Sequence, residues 1–359
     1  MRDASTVSLQ ELIEIGYNER ASDIFVKANA VPMMRQHARM VPIPGEFPVI
    51  DPENAKRMIT AMMSDRQLRI FDETMEMDLA FGVGDKCRVR ANIHLQRGTY
   101  GIVCRIIPLT ILSIDELGLP PVLKELCKQR LGLVLVTGPT GCGKTTSLAA
   151  MIDLINQTRA QHIVTVEDPL EFVHKDKMGY VTQREIGIDT LDFQPALRAV
   201  LREAPDVILI GEMRDATTMG VAMQAGETGH LVFSTVHTAS AYETMDRITN
   251  MFPPHEKNHL CSRMANCLRA VISQKLVPRA DGQGRVAAME ILICTPTVVK
   301  AIEDGHFSDL YHIMNEGEFW GMQTMNQSLL RYVKAGVITE EIAMNFAGVA
   351  SELKQMIRR

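Results

Sequence analysis

The stretch Leu133–Ile155, "LVLVTGPTGCGKTTSLAAMIDLI", decides the fold. Five largely apolar residues run into Gly138-Pro-Thr-Gly-Cys-Gly-Lys144-Thr145, and a helix-forming segment follows. That is the P-loop pattern G-x-x-x-x-G-K-[ST], set between a strand and a helix as its chemistry requires. The glycines let backbone N–H groups face a phosphate, and the helix N-terminus favours the anion. Gly138, Pro139, Thr140, Gly141, Cys142, Gly143, Lys144, Thr145 and Thr146 are therefore the expected nucleotide-binding residues. Lys144 would reach the β- and γ-phosphates, and the Thr145 hydroxyl would bind Mg²⁺. The bland alternative is a glycine-rich turn carrying an exposed lysine. A P-loop alone does not say what the phosphate is used for, because kinases, transporters and motors all carry one.

A nucleoside triphosphatase also needs an acid at the carboxyl end of a neighbouring parallel strand. In "APDVILIGEMRD", Asp206 precedes the apolar run and so stands at the wrong end. Glu212 follows it at the correct end, and is expected to hold Mg²⁺, directly or through water, and to position the attacking water. "HIVTVEDPLEF" repeats the arrangement with Glu167 as a second acid, a strand-end cap being the alternative. "GHLVFSTVHTAS" brings His230 and His237 to opposite ends of a further strand. His237, beside Thr235 and Thr238, is expected to sense the γ-phosphate, whereas His230 reads from position alone as structural.

The remaining chain divides in texture. At 359 residues, two domains are expected. Residues 1 to about 108 read as a small α+β unit. Ser8-x-x-Glu11 opens an amphipathic helix, "DIFVKANAVPMMRQHARMVPI" alternates as a hairpin, and two short helices and three strands follow. Pro108 and Pro120-Pro121 bracket a linker, a candidate hinge. Beyond Leu131, apolar runs at 133–137, 162–166, 207–210 and 231–235 alternate with helical segments, the pattern of a parallel sheet flanked by helices. Residues 254–359 read as mostly helical, with a β-ribbon around 273–292. "CRVRANIHLQRGTYGIVCR" places Arg88, Arg90, Arg97 and Arg105 on adjacent strands. They form either a solvated basic face or a set of cations offered to a triphosphate on another subunit. Arg198 and Arg202, four apart, share a helix face.

Composition narrows the class. The formal net charge of −5 disfavours a dedicated nucleic-acid binder. The seven cysteines form no C-x-x-C pair, which suggests neither zinc nor a disulfide framework and fits a reducing compartment. The 23 methionines read as adaptable core filling. "MRDASTVSLQEL" lacks the apolar core of a signal peptide, and no run approaches the length of a membrane span.

Together these motifs resemble those of the secretion and pilus motor ATPases, most closely the type IV pilus retraction ATPases of the type II/IV secretion system ATPase family. "GPTGCGKTT" resembles their Walker A, "TVEDPLEFVH" their aspartate box, "LRAVLREAPDVILIGEMRD" their Walker B region and "AGETGHLVFSTVHTASA" their histidine box. "RVRAN…QRG…CRIIP" and "GMQTMNQSL" match as well, so the likeness covers nearly the whole chain. The resemblance implies a homo-hexameric, ATP-hydrolysing ring with a PAS-like N-terminal domain (1–108), a linker (109–125) and a RecA-like domain with a helical C-terminal region (126–359). It makes Glu212, Glu167, His237 and His230 catalytic, and Arg88, Arg90, Arg97 and Arg105 candidates for reaching ATP in trans. It implies a cytoplasmic location at the bacterial inner membrane, docked through an inner-membrane pilus platform protein, with a paralogous retraction ATPase as a further partner. The assembly ATPases' four-cysteine zinc segment is missing, which favours retraction. The ending from Leu330 resembles the accessory branch, which modulates a partner motor.

Overall fold

The computed structural model describes residues 4–36 and 39–358. His37 and Ala38, inside the stretch read as a hairpin, lie outside the described residues, as do Met1–Asp3 and Arg359. The fold is mixed α/β in two compact units. One comprises Met1–Thr110 with Glu171–Val173, and the other Ile111–Leu170 with His174–Arg359.

The first unit holds α1 (Leu9–Asn18), β1 (Asp23–Lys27), β2 (Met33–Gln36), β3 (Arg39–Pro42), α2 (Pro52–Thr60) and α3 (Asp65–Thr74). It continues with β4 (Glu76–Val83), β5 (Cys87–Gln96) and β6 (Thr99–Pro108). Ser8 Oγ accepts from the Glu11 N–H and caps α1. The six strands form one antiparallel sheet in the order β3-β2-β1-β6-β5-β4. Period-2 alternation on β5 buries Cys87, Val89, Ala91 and Ile93 against the helices and turns Arg88 and Arg90 to the other face. Arg90 lies directly opposite Arg105 on β6. Arg97 departs from the expectation that all four arginines sit on strands. It occupies the β5–β6 turn at φ +51° beside Gly98 at φ +72°, because a tight hairpin needs two left-handed residues there.

The second unit opens with α4 (Val122–Leu126), β7 (Gly132–Thr137), α5 (Lys144–Thr158), β8 (His162–Glu167), β9 (Tyr180–Glu185) and α6 (Phe193–Val200). Then come β10 (Val207–Ile210), α7 (Ala216–Glu227), β11 (Leu231–Val236), α8 (Ala241–Asn250) and α9 (Lys257–Cys267). The long strands β12 (Leu268–Pro278) and β13 (Arg285–Ile293) precede α10 (Pro296–Glu303), α11 (Leu310–Glu316), α12 (Met325–Lys334), α13 (Glu340–Phe346) and α14 (Ala350–Arg358). The sheet order is β13-β12-β7-β11-β10-β8-β9, parallel throughout except for β13 at one edge. Strand β7 is buried on both faces. Leu133 and Leu135 enter the core formed with α6–α9, while Val134 and Val136 enter the core formed with α4 and α5.

Three sequence readings change. Strand β9 was not foreseen. The ribbon begins earlier than expected, so that β12 joins the main sheet as the parallel neighbour of β7. Helix α6 stops at Val200, with Leu201 as its cap, so Arg202 lies beyond the helix that was to carry it beside Arg198.

Phe233, on β11, is fully buried at the centre of the sheet. Phe233→Ala is expected to destabilise this unit by about 3–5 kcal/mol, the cost of an unfilled aromatic cavity. Urea unfolding followed by circular dichroism checks it, and a loss under about 1 kcal/mol would contradict the packing described.

Candidate active site

Parallel strands put their carboxyl ends on one edge, and the candidate residues follow from that. The register pairs Val136 with Thr235, Ile210 with Ser234 and Val166 with Ile210. The P-loop after β7, Glu167 ending β8, Glu212 just past β10 and His237 just past β11 therefore leave the sheet along the same rim. Asp206 is at the opposite rim, where its carboxylate accepts from the His162 N–H at 2.9 Å.

The loop is shaped by its glycines. Gly138 has φ +141°, and a Cβ there would lie 2.4 Å from the Gln274 carbonyl oxygen, so no larger residue fits. Lys144 begins α5 and its side chain is buried. Its ammonium donates to the carbonyls of Gly138 at 2.8 Å and Pro139 at 3.1 Å, and stands 3.5 Å from His237 Nδ1. An ammonium can only donate, so this contact is a hydrogen bond in the tautomer that leaves Nδ1 unprotonated. The ring's Nε2 lies 3.1 Å from Glu212 Oε1, while Arg214 reaches Glu212 Oε2 at 2.8 Å. Lys144, His237, Glu212 and Arg214 thus form one continuous polar chain.

Around it, hydroxyls fix the backbone. Thr235 Oγ1 donates to the Gly211 carbonyl at 2.7 Å, and Ser234 Oγ to the Ile210 carbonyl at 2.7 Å. The Met213 N–H returns to the Thr235 carbonyl at 3.0 Å. The segment carrying Glu212 is consequently pinned on both sides.

Two opposing influences act on Glu212. Partial burial pushes its carboxyl up, but the Arg214 hydrogen bond and charge, with His237 and Lys144 behind them, outweigh burial and hold it below the ordinary 4.5. A lowered carboxylate is ionised at neutral pH and is a weak proton acceptor. It suits orienting a water or facing a cation better than storing a proton.

Glu167 is buried at the end of β8, and Gln183 Nε2 approaches its Oε1 at 3.4 Å. The other end of that amide, Gln183 Oε1, accepts from the His174 N–H at 2.7 Å. Gln183 lies on β9 and was missed along with that strand. Arg214 is likewise not among the residues that the sequence singles out for this site.

Two further candidates have partners of their own. His230, counted by resemblance among the catalytic residues, is at the amino end of β11, about 20 Å of strand from His237. Its Nδ1 sits 3.0 Å from the Ala225 carbonyl, closing the turn between α7 and β11, so the structure does not bring it to this site. Arg105 forms an ion pair with the buried Asp23 at 3.1 Å, and Arg35 reaches the same carboxylate at 3.4 Å. Most of the Arg105 side chain remains exposed.

A cavity of about 570 Å³ adjoins the loop, reaching from Pro139 and Cys142 past His237 to Leu276 and Phe346. That size suits a small organic ligand. A phosphate-shaped loop, a buried lysine and an ionised acid on one rim of a parallel sheet define a P-loop nucleoside triphosphatase.

The type II/IV secretion system protein family matches residues 5–311, and the chain belongs to it. It is 43% identical to a twitching motility protein of Neisseria gonorrhoeae, across 94% of this chain and 89% of that protein. It is 42% identical to the type IV pilus retraction ATPase PilT of Pseudomonas aeruginosa, across 96% and 99%. Identity to the type IV pilus ATPase PilU of the same organism is 37%, across 98% and 92%. The crystal structure of the pilus retraction motor PilT with bound ADP superposes with a TM-score of 0.92 at 40% identity, covering 98% of this chain and all of that one.

Removing Arg214 leaves burial opposed only by His237 and Lys144. The Glu212 carboxyl is expected to titrate below 4.5 in the wild-type chain and higher in Arg214→Ala, read by carbon NMR of the side chain. Because the folded value is depressed, any stability it contributes is present above about pH 4.5 and lost as pH falls below it. An unchanged titration in the variant would contradict the assigned cause.

Proposed function

We propose that this chain is the ATPase motor of type IV pilus retraction, hydrolysing ATP to drive pilin depolymerisation and twitching motility. The observation that carries the reading is the polar chain from Lys144 through His237 to Glu212, set on a fold shared with an ADP-bound retraction motor. In this reading the P-loop residues Gly138–Thr146 grip the phosphates. Lys144 exchanges its loop carbonyls for phosphate oxygens. His237 is then freed to report on the γ-phosphate, and Glu212 orients the attacking water. Glu167, held by Gln183, supplies the second acid at the rim. His230 acts on the fold between α7 and β11.

Mg²⁺ fits the donors available. One threonine hydroxyl and one ionised carboxylate suit a cation that keeps most of its waters and shares the substrate's phosphates. Thr145 and Glu212 would hold it, Glu212 directly or through water. When bound it neutralises charge on the phosphates.

The two units are read as a PAS-like N-terminal domain (1–108) and a RecA-like domain (126–359) joined through 109–125. Six copies are read as closing a ring at the cytoplasmic face of the inner membrane. There they act on the inner-membrane platform protein at the pilus base, alongside a paralogous ATPase. No helix among the described residues is long and apolar enough to cross a membrane. Membrane attachment in this reading is through partners. Arg88, Arg90, Arg97 and Arg105 are proposed as the arginines from which those approaching a neighbour's triphosphate are drawn.

Lys144→Ala and Glu212→Ala are each expected to lower ATP turnover at least a hundredfold, with Glu212→Ala still binding ATP, and cells carrying either to lose twitching. Turnover persisting in Glu212→Ala would reject its role. The accessory reading, supported by the identity to PilU, requires that retraction fail without a second ATPase; retraction by this chain alone excludes it. For the arginines, mixing Lys144→Ala subunits with subunits lacking Arg88, Arg90, Arg97 and Arg105 is expected to restore partial turnover at hybrid junctions. Hybrids as inactive as either parent would reject action in trans.

A further inference from the structure

We propose that Gln274 is a positioning residue of the nucleotide site, its carboxamide fixing the peptide plane through which the P-loop presents an N–H to phosphate. The inference rests on the nucleotide reading above and deepens it. Gln274 lies on β12, one residue past Ser273, which pairs with Thr137 at the end of β7. Its side chain is 2% exposed. Both ends of its amide are engaged: Nε2 donates to the Cys142 carbonyl at 2.6 Å, and Oε1 accepts from Ser147 Oγ at 2.8 Å. Beside it, Thr137 Oγ1 donates to Ser273 Oγ at 2.9 Å and ties the two strands together.

The consequence comes from peptide planarity. In a trans peptide the carbonyl of Cys142 and the N–H of Gly143 point in opposite directions and turn together. Holding the carbonyl toward β12 therefore aims the Gly143 N–H away from β12. P-loops bind phosphate through such backbone N–H groups. Ser147 is in the first turn of α5, whose N-terminus is the other anion-binding element. One buried amide thus sets the loop peptide and the helix start relative to each other.

The same contact accounts for Gly143. It has φ +86°, and a Cβ there would lie 2.9 Å from Gln274 Nε2. The glycine lets both the backbone turn and the amide approach. No other side chain of this length supplies a donor to Cys142 and an acceptor to Ser147 at once. Glutamate has no donor, and methionine has the shape without either bond.

A staple for stability alone would change how much protein is folded. A positioning residue changes how well folded protein grips phosphate. The full-length chain carrying Gln274→Met is tested for MgADP affinity by calorimetry and for ATP turnover. The expected result is a three- to tenfold rise in ADP Kd and in the KM for ATP, the span of one or two neutral hydrogen bonds, with kcat reduced by less. Ser147→Ala, which keeps the bond to Cys142, is expected to weaken ADP by about two- to threefold. Wild-type Kd and KM in Gln274→Met, with only kcat reduced, overturn the proposal. If Gln274→Met does not fold, Ser147→Ala decides, and an unchanged ADP Kd overturns it. A wild-type chain that binds no ADP overturns the nucleotide reading itself, and this inference with it.

Discussion

A lysine ammonium buried at the rim of a sheet has to be met by acceptors, and the site described here is organised around that requirement. Lys144 finds two carbonyls of its own loop and one ring nitrogen of His237. The ring in turn orients toward Glu212, whose second oxygen is taken by Arg214. An unmet charge is costly at the buried lysine, while Arg214 at the far end of the chain is exposed to solvent. Incoming phosphate competes for the first link of this chain, and the displacement can be felt at the last.

The scaffold makes that geometry affordable through topology. Because six neighbouring strands run parallel, the loops that follow β7, β8, β10 and β11 converge without long excursions. The alternating burial of β7 between two cores holds the P-loop's root rigid. The hydroxyls of Ser234 and Thr235 then hold the Glu212 segment to the same frame.

Much of this was legible because it depends on local spacing. The P-loop is an eight-residue pattern, and Glu212 and Glu167 each follow an apolar run that can only be a buried parallel strand. What escaped depends on contacts distant in sequence. Strand β9, "YVTQRE", is a half-buried edge with polar side chains, so it carries no apolar periodicity, and Gln183 was lost with it. Gln274 touches Cys142 across 132 residues, and the ion pair of Arg105 with Asp23 spans 82. For His230 the two readings of the sequence diverge. Resemblance grouped it with His237, whereas its place at the amino end of β11, already apparent from the sequence, set it apart.

The most direct test of the central claim is a structure of this chain with Mg²⁺ and a non-hydrolysable ATP analogue. The account predicts that Lys144 leaves the Gly138 and Pro139 carbonyls for the β- and γ-phosphates, and that Glu167 and Glu212 both face the metal-bound nucleotide. An analogue bound with Lys144 still on its loop carbonyls, or with both glutamates turned from the phosphates, would contradict it.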